Sequence, residues 1–275
     1  MTVLRRVLSA GVAAAAAQAT YRSIARGRSG QTWARTNHRG DPVTLAEGPA
    51  VAVGSLAGLV LAPRGVPRLA AAVGIGAASA LGAVDDLTGA TDVKGLRGHL
   101  GALRQGQVTT GTLKLFGLAA TGVVAGALAR RGRGGIVDAV LAGGVVAGSA
   151  NLANLFDLRP GRASKVFLAS SAPALALTSG PARSFGDVLA GPTGAAVAML
   201  GDDLGERSML GDTGANALGA AWGVGAASSM SRGALTTTLA ALVALTVASE
   251  KVSFSGLIER TPPLRYLDDL GRRPS

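Results

Sequence analysis

One stretch of the sequence decides the class of fold: residues 67–89 read PRLAAAVGIGAASALGAVDDLTG. Its larger part is an almost unbroken apolar run, close to the ~17–25 residues that a membrane-spanning helix needs. Two adjacent aspartates, Asp85 and Asp86, end the run. The stretch therefore predicts a helix that crosses a membrane and ends in acidic groups at the boundary.

The composition of the whole chain agrees with a membrane protein. Of its 275 residues, 48% are hydrophobic and only 16% are charged, whereas soluble domains average roughly 25% charged residues. The absence of cysteine excludes disulfides, thiolate nucleophiles and cysteine-ligated zinc. With only two histidines, the chain has little to build a histidine-based metal site. Any metal site would therefore depend on oxygen ligands.

The apolar runs predict an all-α fold, a polytopic membrane bundle of about nine transmembrane helices. The spans are predicted at residues 4–21, 45–62, 67–84, 112–129, 136–156, 164–180, 184–201, 213–230 and 234–250. They form one integral membrane domain, 1–275, with a cytoplasmic tail at 251–275. The first span has an alternative interpretation as a signal peptide, since Arg5 and Arg6 precede an alanine-rich core. More basic residues follow that span than precede it, which favours a spanning helix.

Charge predicts the orientation. Nine spans place loops 22–44, 85–111, 157–163 and 202–212 on the same side as the tail, and most of the 27 Lys and Arg residues lie there. The positive-inside rule makes that side cytoplasmic, which predicts a multi-pass plasma-membrane protein with a cytoplasmic active face. The net charge of +11 then reflects topology, and no nucleic-acid partner is predicted. The arginines at 130–133 oppose this orientation.

Acidic residues cluster on the same predicted face. They are Asp85, Asp86, Asp92, Asp157, Asp202, Asp203, Glu206 and Asp212. Paired carboxylates at a membrane boundary repel each other and lose hydration. A hard cation such as Mg²⁺ relieves both costs, because it prefers oxygen ligands. The alternative for Asp85 and Asp86 is a solvated helix end without a role.

Three further segments carry polar groups. Lys94 and Lys114 belong to a Gly- and Thr-rich cytoplasmic segment of the kind that suits phosphate. Asn151, Asn154 and Asp157 follow i, i+3, i+6 spacing and share one helical face, which meets either a cavity or a neighbouring helix. The third segment is 201–216, GDDLGERSMLGDTGAN, where Asp212 and Thr213 are good helix N-cap residues.

Together these segments resemble the polyprenyl-phosphate N-acetylhexosamine-1-phosphate transferase superfamily, which includes the phospho-MurNAc-pentapeptide translocase and UDP-GlcNAc:undecaprenyl-phosphate transferases. Arg39-Gly-Asp-Pro42 is similar to the family's first cytoplasmic motif and Asp85-Asp86 to its paired aspartates. Asn154-Leu-Phe-Asp157 and Gly211-Asp212-Thr213-Gly214 are similar to its Asn-x-x-Asp and Gly-Asp-x-Gly elements. The resemblance runs from about residue 36 to 220.

The resemblance implies a function and a set of site residues. Asp212 and one of the pair, assigned as Asp86, would hold Mg²⁺ or Mn²⁺, while Asp157 and the other aspartate would orient or deprotonate the lipid phosphate. The implied substrate contacts are Arg39, Lys94, Lys114, Asn151 and Asn154. The implied reaction transfers a sugar-1-phosphate from a UDP-sugar to a polyprenyl phosphate and releases UMP. A homodimer is left open.

Two departures from the family pattern leave alternatives. Pro160 stands where a second acid is expected after Asp157, and the family's His-rich late loop is missing, with the tail near its position. A family-derived protein that binds lipid phosphate or acts as a scaffold without catalysis is therefore the main alternative. A transporter is a third, although its acids are expected near the membrane midplane.

Overall fold

The computed structural model describes residues 2–37, 39–88, 101, 110–180 and 182–273. Its helices are α1 Thr2–Arg26, α2 Glu47–Gly58, α3 Val66–Thr88, α4 Thr110–Ala129, α5 Ile136–Phe156, α6 Arg162–Ala176, α7 Arg183–Leu204, α8 Gly211–Ser229, α9 Arg232–Ser249, α10 Phe254–Arg260 and α11 Pro262–Asp269. Short 3-10 helices lie at Arg28–Trp33 and Leu59–Leu61. A small antiparallel hairpin pairs β1 Ala34–Thr36 with β2 Pro42–Thr44.

The helices α1 to α9 coincide with the nine predicted apolar spans, so the all-α class is confirmed. Four of the described helices are long and apolar enough to cross a membrane: Pro67–Thr88, Gly111–Ala129, Ile136–Phe156 and Arg232–Ser249. The apolar segment Glu47–Leu61 is shorter than these. These four helices are consistent with a membrane protein. That the remaining five predicted segments also cross the membrane stays a prediction.

Helix α8 is the centre of the bundle. Fifteen of its nineteen residues are buried, and it packs against α2, α3, α5 and α7. Glycines on one face bring it against the backbone of α5; a Cβ at Gly223 would lie 2.6 Å from the Cα of Val146. In a membrane such backbone contact is what holds helices together. The start of α8, where the Gly-Asp-Thr-Gly element lies, is therefore held firmly by its neighbours.

Helix α1 is tied into the bundle by a buried arginine. The Arg6 guanidinium donates to the Asp187 carboxylate at 2.8 Å, to the carbonyl of Leu175 at 2.7 Å and to that of Arg183 at 2.8 Å. A buried charge is tolerated only when it is paired and hydrogen-bonded in this way. These contacts to α7 and to the end of α6 favour the spanning-helix interpretation of the first segment.

The arginines that oppose the predicted orientation have a structural role at the other end of the bundle. Asp138 is 2% exposed and accepts hydrogen bonds from Arg232, at 2.9 Å from Nε. Arg130 and Arg133 donate to carbonyls at the end of α8, with Arg133 2.9 Å from the Ser228 carbonyl. Cations are favoured at a helix C-terminus. These arginines therefore satisfy one buried acid and one helix end, which explains their place on that side.

Candidate functional site

The C-terminal end of α3 meets the N-terminal end of α8 through the side chain of Asp86. Its carboxylate accepts the backbone N–H of Asp212 at 3.0 Å, the N–H of Thr213 at 2.9 Å and the Thr213 hydroxyl at 2.6 Å. The first N–H groups of a helix have no partner within the helix. Asp86 therefore caps α8 from another part of the chain, and its negative charge is favoured there by the helix dipole.

This contact corrects the sequence interpretation of the cap. The sequence offered Asp212 and Thr213 as possible caps of α8, but the N-cap position is Leu210, which provides no side-chain hydrogen bond. The three bonds to Asp86 leave one of about four carboxylate acceptor positions free. The prediction that Asp86 also binds a metal therefore rests on that remaining position. Thr213 also belongs to the site, and the sequence did not reveal that its partner is Asp86 of a distant segment.

Gly211 makes the junction sterically feasible. Its φ of +58° is in the left-handed region, where residues with a Cβ are disfavoured. A Cβ at this position would also lie 2.9 Å from both carboxylate oxygens of Asp86. Glycine at 211 thus satisfies two requirements, the backbone turn into α8 and the close approach of Asp86.

Lys114 lies between two of the predicted site aspartates. Its ammonium forms an ion pair with Asp212 and lies 3.5 Å from Asp85 Oδ2. The lysine side chain is only 13% exposed, so the pair is shielded from solvent. Lys114 was predicted to contact phosphate; in the structure it balances the charge of the carboxylates. The Lys114 ammonium thus occupies the position that a cation bound by Asp85 and Asp212 would take.

Asp157 joins the same group from the end of α5. Burial raises the pKa of Asp157 well above its usual value, the negative charges of Asp203, Asp212 and Asp86 raise it further, and the nearby Gly211 N–H lowers it. Asp86, Asp157 and Asp212 thus lie near one another at the start of α8, and Asp85 joins them through Lys114.

The donor chemistry fits Mg²⁺ or Mn²⁺. All of the converging acidic ligands are carboxylate oxygens, which hard cations prefer, and Mg²⁺ needs only one or two carboxylates because it keeps several waters. Within the described residues, no set of three or more Asp, Glu or His side chains is already arranged to hold a metal. A metal would therefore bind through a smaller protein ligand set, such as Asp85 and Asp212, completed by water or substrate oxygens.

Asp203 lies next to this site and was not selected as a site residue by the sequence analysis. It is 1% exposed and its Oδ1 accepts the N–H of Gly161 at 2.8 Å, while Ser164 Oγ lies 3.4 Å from Oδ2. These bonds fix the far end of the segment 157–161, which carries Asp157. The Asp202-Asp203 pair was visible in the sequence, but nothing there separated the fully buried Asp203 from Asp202, whose side chain is 24% exposed.

The β-hairpin brings two arginines to this face. Arg39 forms an ion pair with Glu206 at 3.2 Å, and Asn37 donates to the same carboxylate at 2.8 Å. Arg35, which the sequence analysis did not select, donates from Nη2 to the backbone carbonyl of Asp86. Arg35 is therefore nearer to the paired aspartates than the predicted phosphate ligand Arg39. The predicted Lys94 lies outside the described residues.

The two predicted asparagines have different surroundings. Asn151 Nδ2 lies 3.4 Å from Thr246 Oγ1 of α9, which matches the helix–helix contact that was left open for this face. The backbone carbonyl of Asn154 accepts the N–H of Asp157 at 3.1 Å and closes α5. Substrate binding by Asn151 and Asn154 stays a prediction.

Two openings lie near the site, and their lining residues do not include the four aspartates. A polar cleft of about 560 Å³ lies between the tail and the loops. Its lining residues are Arg39, Arg159, Pro160, Glu206, Glu259, Arg265, Asp268, Asp269, Arg272 and Arg273. An apolar groove of about 150 Å³ runs between α5, α6, α8 and α9, past Phe156, Trp222 and Leu242. Since Phe156 directly precedes Asp157, the groove approaches the acidic site from the apolar part of the bundle.

Comparison with protein families and with curated proteins found no relative of the chain. No protein-family model matches the chain. No curated protein matches it either. The resemblance described above therefore depends on its short motifs and on their positions in the fold.

Proposed function

We propose that this protein is a Mg²⁺-dependent transferase that moves a sugar-1-phosphate from a UDP-sugar to a polyprenyl phosphate. The products are a polyprenyl-diphospho-sugar and UMP, for use in cell-envelope glycan synthesis. One observation carries the proposal: Asp85, Asp86, Asp157 and Asp212, distant in sequence, meet at the start of α8 beside Lys114. These are the residues of the motifs that carry the resemblance.

The chemistry follows from the charges. An oxygen of the polyprenyl phosphate attacks the β-phosphorus of the UDP-sugar; the bond from that phosphorus to the bridging oxygen breaks, and UMP leaves with that oxygen. When bound, Mg²⁺ would neutralise charge that develops on the diphosphate, with Asp212 and one of the paired aspartates as its protein ligands. Lys114 and the hairpin arginines provide further positive charge in a site partly removed from water, where such groups are most effective.

Asp157 has the surroundings expected of a proton acceptor. Burial and neighbouring negative charges raise its pKa, which makes its carboxylate a better proton acceptor. The segment that carries it is held at its far end by Asp203, which accepts the Gly161 N–H. Such second contacts limit the movement of a catalytic group.

The two openings suit the two substrates. The apolar groove next to Phe156 is a place for the first isoprene units of the lipid, with the phosphate at Asp157. The polar cleft, which contains five arginines, is a place for the nucleotide. We place the protein in the plasma membrane with nine spans, the N-terminus outside and the acidic site at the cytoplasmic face, from the distribution of basic residues.

The test is a direct assay of the purified protein. We expect UMP release when it is incubated with Mg²⁺, undecaprenyl phosphate and the correct member of a panel of UDP-sugars, and loss of release in excess EDTA. Mn²⁺ should replace Mg²⁺, whereas Zn²⁺ should replace it poorly because the ligands are hard oxygens. UMP release that is undiminished in EDTA would contradict the mechanism.

A second candidate function is a non-catalytic protein that binds lipid phosphate within an envelope assembly. Lys114 favours it, because an internal ammonium already balances Asp85 and Asp212, and so does Pro160 in the place of an acid. The two functions differ in the assay. Binding of undecaprenyl phosphate without UMP release from any UDP-sugar would support this second function and exclude the first.

A further inference from the structure

The C-terminal tail is held on the acidic face by buried ion pairs. Arg162 is 3% exposed, and two of its nitrogens each lie 2.8 Å from an oxygen of Asp268. Arg272 also pairs with Asp268 at 2.8 Å and donates to the Pro160 carbonyl at 2.9 Å. One side of α11 is therefore fixed against the loop that follows α5.

The opposite side of α11 is apolar and uncovered. Leu267 lies on it, and Leu270, three residues further on, follows directly after the helix. They are 58% and 54% exposed, respectively. The polar side, with Arg265 and Asp268, faces the cleft. Adjoining exposed leucines on one side of a short helix point to contact with an apolar environment.

The position of the tail indicates which environment covers it. Helix α9, a candidate membrane span that is only 11% buried within the chain, ends at Ser249, and α10 begins five residues later. The Phe254 ring stacks on that of Phe156, with centroids 5.5 Å apart, and Phe156 is the last residue of the candidate span α5. The tail thus starts at the level where two such spans end, which is the boundary of the bilayer.

Lys165 holds the apolar side of α11 near the boundary at which α5 and α9 end. Lys165, in the first turn of α6, donates to the carbonyls of Leu267 at 3.0 Å and Leu270 at 3.2 Å. The backbone that carries Leu267 and Leu270 is therefore anchored at the start of α6.

We propose that α11 is an interfacial helix whose apolar side, Leu267 and Leu270, inserts into the boundary layer of the bilayer that α9 crosses. Its polar side then forms the wall of the cleft. Residues 254–273 hold four arginines and three acidic residues, so their charges nearly cancel. The insertion is therefore driven by apolar burial, and it should not require anionic lipid. The inference depends on membrane insertion of the chain and is independent of its chemistry.

The absence of cysteine from the chain allows a clean test. Single-cysteine variants Leu267→Cys and Leu270→Cys report on the apolar side, and Asp269→Cys, 56% exposed in its side chain, is the matched control on the polar side. Each full-length variant is labelled with a nitroxide and reconstituted in vesicles of phosphatidylcholine alone or mixed with phosphatidylglycerol. The accessibility of the label to oxygen and to a water-soluble nickel chelate is then measured.

We expect labels at 267 and 270 to favour oxygen over the nickel chelate in both kinds of vesicle, and the label at 269 to favour the chelate. Equal chelate access at 267, 270 and 269 would overturn the proposal. A label at 267 protected from both reagents, with spin–spin broadening that grows with protein density, would also overturn it in favour of a second copy of the chain. Protection that occurs only with phosphatidylglycerol would contradict the apolar driving force.

Discussion

The carboxylate of Asp86 accepts the backbone N–H of Thr213 at 2.9 Å, although the two are 127 positions apart in the chain. This bond and the two others that Asp86 accepts, from the Asp212 N–H and the Thr213 hydroxyl, join the paired aspartates directly to the Gly-Asp-Thr-Gly element. The two members of the pair consequently differ. Asp86 caps α8, while Asp85 faces the ammonium of Lys114.

This difference gives a prediction for the pair. Asp86→Asn keeps the size of the side chain but gives up its charge at the helix N-terminus and one acceptor oxygen, and it should lower the stability of the fold by about 1 kcal/mol. Asp85→Asn should leave stability close to that of the parent. Both should reduce UMP release by at least about 100-fold, the scale reported for electrostatic catalytic groups. Stability is measured by thermal unfolding in detergent and turnover by UMP release.

Asp202→Asn is the control for this pair. Asp202 is on the same face, and its partner Arg207 is 63% exposed, so the ion pair contributes little. Its stability and turnover should match the parent. Equal loss of stability in Asp85→Asn and Asp86→Asn would contradict the capping role of Asp86.

Gly211→Ala should damage the junction. The substitution places a Cβ in the left-handed region, at a cost of roughly 1–2 kcal/mol, and 2.9 Å from the oxygens of Asp86. Gly201→Ala is the matched control, since Gly201 lies inside α7 and a Cβ there would contact nothing within 4 Å. We expect a lowered melting temperature for the first variant and an unchanged or raised one for the second, because Ala favours a helix over Gly.

Lys114→Gln should make the protein dependent on divalent metal for stability. Without the ammonium, Asp85 and Asp212 repel each other, and Mg²⁺ becomes the available counter-ion. The melting temperature without metal should fall, and added Mg²⁺ should raise it by more than it does in the parent. Lys251→Gln, at an exposed position after α9, is the control. If Mg²⁺ raises the melting temperature of neither the parent nor Lys114→Gln, the aspartates do not bind metal.

The ion pair of the tail predicts a pH dependence. Burial alone would raise the pKa of Asp268, but hydrogen bonding and charge from Arg162, with the charges of Arg272 and Lys165, outweigh it and leave the pKa lowered. A carboxyl with a lowered folded pKa stabilises the fold above its unfolded pKa, about 3.9, and loses this contribution as the pH falls through the folded value. Asp268→Asn should therefore be less stable than the parent at neutral pH, by about 3–5 kcal/mol for a broken buried pair.

The gap in stability between the parent and Asp268→Asn should narrow only in strong acid, below about pH 3.9. Thermal unfolding across a pH series measures it. Asp269→Asn, at an exposed neighbour, should show no such gap. A gap for Asp268→Asn that already closes between pH 5 and 7 would mean that the carboxyl is not stabilised as an anion.

The orientation of the chain is tested by reporter fusions. A fusion after Ser275 and a reporter inserted in the 202–212 loop should both report the cytoplasm, because basic residues accumulate on that side. A periplasmic signal from either one would separate the tail from the acidic loops and contradict the common face.

The sequence by itself determined the helices and the class of side chain at the site. Apolar length and helix period are local properties, so the nine predicted segments coincide with α1 to α9, and the motif aspartates could be selected from their place at the ends of those segments. Gly211 and Gly223 could be seen as small residues, but the Asp86 side chain beside the first and the Val146 backbone beside the second could not.

Only the tertiary structure decided the partners. Asp86 as the cap of α8, Lys114 as the counter-ion of Asp85 and Asp212, and Asp203 as the buried member of its pair all depend on contacts between segments far apart in the chain. A local pattern records how polar a residue is, whereas a hydrogen bond or ion pair depends on which distant atom lies within about 3 Å. The role of the tail, held through Asp268 and Arg162, was decided in the same way by the packing of the helices.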